Sequence, residues 1–182
     1  MYRDHNCGEL TIKNVGEKVT IAGWVQRIRN LGSMIFIDLR DQFGITQIVV
    51  SADNKEKLEN VVSECVIQVV GTVVERSNKN TKILTGEIEV EAQEIEILGK
   101  CKNVLPFEVN SEKTGEVKED LRLEYRFLDL RNDKLHKTIL LRSEVMKTIR
   151  KKMDELGFTE IQTPILANSS PEGARDYLVP SR

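Results

Sequence analysis

GWVQRIRNLGSMIFIDLRDQFGITQIVV, residues 23–50, is the stretch from which the fold can be read. It divides into three β-strands rich in Ile, Val, Phe and Trp, with turn signals at Leu31-Gly32-Ser33 and at Asp41-Gln42-Phe43-Gly44. The middle strand alternates. Ile35, Ile37 and Leu39 share one face and form a core side, while Met34, Phe36, Asp38 and Arg40 share the other. Arg27 and Arg29 lie one strand back and Gln47 one strand on. An outward ring flanked by guanidinium groups and amides suits unpaired nucleic acid: the ring stacks on a base, the cations meet phosphates and the amides read base edges.

Working outward, the first strand begins near Lys18 and its parity is inconsistent. Val19, Ile21 and Val25 share a face with Arg27 and Arg29, so the strand must change phase, and Gly23 is the expected bend. Downstream, Asp53 or Asn54 can cap a helix with an apolar stripe of Leu58, Val61 and Val62. Residues 66–74 read as a buried strand, 77–86 as a polar loop and 87–98 as a last strand with a phase change near Gln93. The order β-β-β-α-β-β predicts a five-stranded antiparallel OB-fold barrel with one helix, a fold that binds oligonucleotides across its second and third strands. Fold alone does not establish function.

Bulk composition neither supports nor opposes RNA as a partner. The formal net charge of −2 means that any RNA-binding surface is local. The three cysteines, Cys7, Cys65 and Cys101, have no metal-ligand spacing, predict no disulfide framework and fit a reducing cytoplasm. MYRDHNCGEL lacks the apolar segment of a signal peptide, and no run approaches the roughly 20 apolar residues of a membrane span. His5 and His136 lie far apart, so no catalytic triad or metal site assembles from sequence.

Residues 100–133 read as a linker with some local order. A long helix follows over 134–156, with Leu135, Ile139, Met146, Ile149, Met153 and Leu156 at helical spacing and Gly157 as its stop. Seven basic residues (Lys134, Lys137, Arg142, Lys147, Arg150, Lys151 and Lys152) face one acid, Glu144, over 134–152. Such a face is read first as solvated and second as an RNA contact. Phe158–Leu166 reads as a strand interrupted by Pro164.

GWVQRIRNLGSMIFIDLRD (23–41), YRFLDLR (125–131), GFTEIQTP (157–164) and SPEGARDYLVPSR (170–182) resemble bacterial-type aspartyl-tRNA synthetases of class II, over the whole chain. The resemblance implies an OB-fold anticodon-binding domain over 1–103, a hinge over 104–133 and, over 134–182, the start of a class II catalytic domain on an antiparallel sheet. Arg27, Arg29, Phe36, Gln47, Asn80 and Glu89 match anticodon-contacting positions, with Phe36 stacking on the central uracil. A neighbouring family aromatic is Val49 here. Ile149, Met153 and Pro164 fall in motif 1, the dimer interface. Ser170, Pro171, Gly173, Ala174 and Arg175 belong to a loop that closes over the amino acid, with Glu172 contacting aspartate. The parent enzyme would be a cytoplasmic homodimer that uses ATP and Mg2+ to activate L-aspartate and transfers it to tRNA(Asp), with no membrane or DNA partner. The ATP-binding motifs 2 and 3 would follow Arg182, so the chain reads as an amino-terminal part with no catalytic or metal-ligating residue of its own. Two other readings stay open: a free-standing RNA-binding OB module, and part of a synthetase that also charges asparagine tRNA.

Taken singly, these residues have ordinary readings. Arg27 and Arg29 could simply solvate a curved strand, Gln47 could be a solvated strand amide, and Glu89 could be one of a charged outer row. Phe36 could be a core or rim ring, although its parity opposes that of Ile35 and Ile37.

Overall fold

The structure, a computed structural model, describes residues 2–102, 104–110, 117–165 and 180. Strands β1 (Lys18–Asn30), β2 (Met34–Arg40), β3 (Ile45–Ser51), β4 (Val66–Glu75) and β5 (Ile88–Gly99) close into a barrel in the order β1-β2-β3-β5-β4. Neighbours are antiparallel except β3 and β5, which run parallel. A fully antiparallel set is therefore corrected at one pair, for a topological reason: strand direction cannot alternate all the way round a closed ring of five.

Alternation fills the interior. Val19, Ile21 and Val25 of β1, Ile35, Ile37 and Leu39 of β2, Ile48 and Val50 of β3, Ile67, Val69 and Val73 of β4, and Ile88 and Val90 of β5 form one buried cluster. The phase change in β1 falls at Gln26 and not at Gly23. Val25 pairs with Leu39 and Arg27 with Asp38, which leaves Gln26 as the extra residue of a bulge. Beyond it Ile28 packs on the core and Arg27 and Arg29 turn outward. Gly23 meets a different need: a Cβ there would lie 2.3 Å from the carbonyl oxygen of Arg40, so the two backbones cross too closely for a side chain. In β5 the extra residue is Gln93, since Gly71 pairs with Ala92 and Val70 with Glu94, as the sequence parity predicts.

Between β3 and β4 the expected α-helix is a 3-10 helix, Ala52–Leu58. Asn60 (φ 71°) and Glu64 (φ 66°) lie in the left-handed region and keep the helix from continuing. Leu58 and Val61 cover the barrel end while Val62 is exposed, so the three-residue stripe splits.

By contact the described chain divides into two compact units, 1–133 and 134–182. In the first, residues after the barrel form α1 (Glu119–Glu124) and α2 (Arg126–Asp129) around a small apolar cluster of Phe107, Val109 and Leu128, flanked by Leu105, Val117, Leu121 and Tyr125. Fully buried Asp129 accepts from Arg122 Nε at 2.8 Å and Arg126 Nη1 at 2.6 Å. The second unit is built on α3 (Asp133–Glu155), none of whose side chains is buried. Gly157, at φ 83°, ends it, and the Phe158 N–H donates to the Met153 carbonyl at 3.1 Å. Residues 158–165 form no strand: their backbone finds no ladder partner among the described residues.

Candidate nucleic-acid interface

The outer face of β1, β2, β3 and β5 carries a continuous polar chain beside a ring. Cross-strand register sets Arg29 opposite Phe36, and Asp38 opposite Gln47. The Arg29 guanidinium carbon lies 6.0 Å from the Phe36 ring centroid, at the outer limit of a cation–π contact. Arg29 Nη2 donates to Asp38 Oδ1 at 2.7 Å and to Gln47 Oε1 at 3.1 Å. Gln47 Nε2 donates to Glu89 Oε2 at 2.6 Å. Four strands thus hand one another Asp38, Arg29, Gln47 and Glu89 in sequence, with half-buried Phe36 alongside. Arg27, exposed, follows the β1 bulge two residues before Arg29, on the same face.

The structure therefore brings together Arg29, Phe36, Gln47 and Glu89 of the six positions implied by resemblance, with Arg27 beside them. Gln47 is not a solvated amide: it is only 3% exposed, and its amide is engaged at both ends. Asn80 sits in the β4–β5 loop, where its side-chain oxygen accepts the Lys82 N–H at 3.0 Å and its own N–H donates to the Gly86 carbonyl at 2.9 Å. Val49, opposite Phe36, is 8% exposed and offers no second ring. Ser170, Pro171, Glu172, Gly173, Ala174 and Arg175 lie outside the described residues. Ile149 and Met153 are exposed on α3 and line a depression of about 260 Å³ with Arg150, Asp154, Phe158, Thr159 and Glu160. Pro164 lies in the irregular stretch that follows.

Two features escaped the sequence reading. Asp38 is the anchor of Arg29; its place on the face of Phe36, cross-strand from both Arg27 and Gln47, was the available signal. Arg40, whose parity put it outside, is 3% exposed. Its Nη2 donates to Glu64 Oε1, whose second oxygen accepts from Arg131 Nη1 at 3.0 Å. Both guanidinium groups also lie over Trp24, at 5.5 Å (Arg40) and 4.9 Å (Arg131) from the ring centroid. Partners this distant, with Glu64 24 residues from Arg40 and Arg131 67 residues from Glu64, leave no local trace in sequence. Elsewhere, burial pushes the Cys7 thiol far up, with the Asp41 charge adding to the shift, so Cys7 is not a reactive nucleophile.

Comparison with known proteins bears on the fold and the family. A family model for the OB-fold nucleic acid binding domain matches residues 19–98, and one for class II tRNA synthetases (D, K and N) matches 118–182. An OB-fold nucleic acid binding barrel, joined to the opening of a class II synthetase domain, defines the class: the chain belongs to the class II tRNA synthetases of the D, K and N group. Within that group it aligns with aspartate–tRNA ligases from end to end. It is 51% identical over 187 positions to the aspartate–tRNA(Asp/Asn) ligase of Chlamydia caviae, covering 100% of this chain and 32% of that protein. It is 51% identical over 184 positions to the aspartate–tRNA ligase of Lactobacillus johnsonii, covering 99% and 30%. The chain thus spans about a third of the length of the curated relatives it matches. Among solved structures, asparaginyl-tRNA synthetase from Pyrococcus horikoshii complexed with asparaginyl-adenylate superposes with a TM-score of 0.79 at 27% identity, over 95% of this chain and 39% of that one. Aspartyl-tRNA synthetase from Entamoeba histolytica gives 0.79 at 22% identity, over 90% and 40%, and shows the shared fold.

Proposed function

We propose that this chain is the anticodon-reading part of an aspartate–tRNA ligase. Residues 1–103 serve as the anticodon-binding barrel, 104–133 as the hinge and 134–182 as the beginning of the catalytic domain. The observation that carries the reading is the single surface on which Phe36, Arg29, Gln47 and Glu89 meet, with Arg27 at its edge. Arg27 and Arg29 balance Asp38 and Glu89 in formal charge, so the face is poorly suited to undirected phosphate binding. Stacking and base-edge contacts carry the recognition instead.

In this reading Phe36 stacks on the central uracil of tRNA(Asp), Arg27 meets backbone phosphate, and Glu89 offers a carboxylate oxygen to a base amino group. Gln47 reads a base edge by exchanging one of its present partners. Asn80 approaches the same loop from the β4–β5 connection. The parent enzyme works in the cytoplasm as a homodimer, to which Ile149, Met153 and Pro164 contribute. Glu172 pairs with the ammonium group of L-aspartate, and the loop of Ser170, Pro171, Gly173, Ala174 and Arg175 closes over it. In that enzyme ATP would supply the adenylyl group that activates L-aspartate, and Mg2+ would balance the phosphate charge.

Fluorescence anisotropy with a labelled stem–loop tests the reading. The aspartate anticodon should bind at least about tenfold more tightly than a loop with the anticodon replaced, as expected from losing one good base contact. Equal affinities would contradict it. A second reading, acceptance of asparagine tRNA as well, is favoured by the Chlamydia caviae relative, which is an aspartate–tRNA(Asp/Asn) ligase. The two tRNAs differ at the third anticodon base, near which the resemblance places Leu31 and Asn80. Stem–loops differing only there separate the two readings.

A further inference from the structure

The barrel and the segment that follows it have separate hydrophobic interiors. The barrel cluster runs from Cys7 to Val90, the cluster of residues 105–128 has its own members, and the two share none. Among the described residues, apolar burial therefore orders each part without joining them. The described join is polar and aromatic: Arg131 reaches from the turn after α2 to Glu64 and Trp24, both on the barrel.

Glu64 is suited to that task. Its carboxylate is 6% exposed and takes one arginine on each oxygen, Arg40 from β2 and Arg131 from the later segment. It sits in a left-handed backbone conformation, unusual for a residue with a side chain. Its N–H donates to the Val25 carbonyl at 2.7 Å, which pins it to the edge of β1 immediately before the bulge. Trp24 and Arg40 are cross-strand partners on the same two strands that carry Arg29 and Phe36 farther along. One rigid ribbon thus runs from the proposed RNA face to this join.

We propose that Glu64 and Arg131 are positioning residues: with Trp24 and Arg40 they lock residues 117–132 to the barrel so that the RNA-reading face and the hinge turn as one body. The role in RNA reading rests on the function proposed above; the lock itself does not. Breaking a buried pair from one side leaves the other charge uncompensated, whereas solvent can accept the end of Arg131 once it is released.

Hydrogen exchange on the full 182-residue chain tests this. Arg131→Gln should speed exchange of the 117–132 amides at least about tenfold, leave the β-core amides unchanged, and leave affinity for the anticodon stem–loop within about twofold of the original. Glu64→Gln gives a second variant that preserves side-chain shape, and it should loosen the same amides. Adding Arg131→Gln to Glu64→Gln should loosen them little further, because both remove one interaction. For Arg131→Gln, which leaves the Arg40–Glu64 pair intact, no change in 117–132, or an equal rise throughout the barrel, would overturn the lock. Loss of stem–loop affinity with unaltered exchange would also overturn it, by placing Arg131 in the RNA face. Failure of the unsubstituted chain to bind the stem–loop would instead count against the proposed function and leave the exchange result standing.

Discussion

Phe36 faces outward because Ile35 and Ile37, its neighbours on β2, take the core side. Arg29 lies against it and is itself tethered by Asp38 and Gln47, so the ring and the cation are set before any ligand arrives. Such pre-ordering lowers the entropy lost on binding. Phe36→Ala should weaken binding of the aspartate stem–loop by roughly 1–3 kcal/mol, the usual effect of losing a base stack. The barrel should keep its melting temperature, since the half-buried ring is absent from the core cluster. Anisotropy and thermal melting on the same sample check both statements; a folded variant with unaltered affinity would remove the stacking role.

At the scale of elements, the phase of β1 decides what the barrel shows to solvent. The bulge at Gln26 turns Arg27 and Arg29 out while Ile28 stays in, and the close crossing at Gly23 lets β1 pass β2. Gly23→Ala forces a Cβ to within 2.3 Å of the Arg40 carbonyl oxygen and should destabilise the barrel by about 1–3 kcal/mol, measured by urea unfolding. An unchanged midpoint would show that the crossing relaxes freely. The same strands show how far sequence carries. Alternation in β2 and β5 identified the core faces and the bulge at Gln93, because period-two burial is written locally. The parity of β1 required a bulge but could not place it, since both Gly23 and the true site satisfy the change of phase. Gln47 and Arg40 looked like outward polar residues. Their burial depends on Glu89, Glu64 and Arg131, partners brought up by barrel closure and by the later segment. The parallel β3–β5 pair follows from the number of strands, and no residue pattern announces it.

At the scale of the molecule, the two units differ in how well they bury themselves. The barrel encloses its apolar side chains. Along α3 and beyond it, Leu140, Leu141, Ile149, Leu156, Phe158 and Ile161 are all more than half exposed, from 54% to 76%. An apolar face of this kind seeks a partner, so sedimentation should show concentration-dependent self-association that Ile149→Glu weakens. A monodisperse monomer at all concentrations would refute this. The same helix bears the basic row from Lys134 to Lys152, a rival surface for RNA. Photocrosslinking distinguishes the two faces most directly. With 4-thiouridine at the central anticodon position of the stem–loop, irradiation should join the RNA to the β2 peptide that contains Phe36. Adducts confined to the basic face of α3, with none on the barrel, would contradict the account.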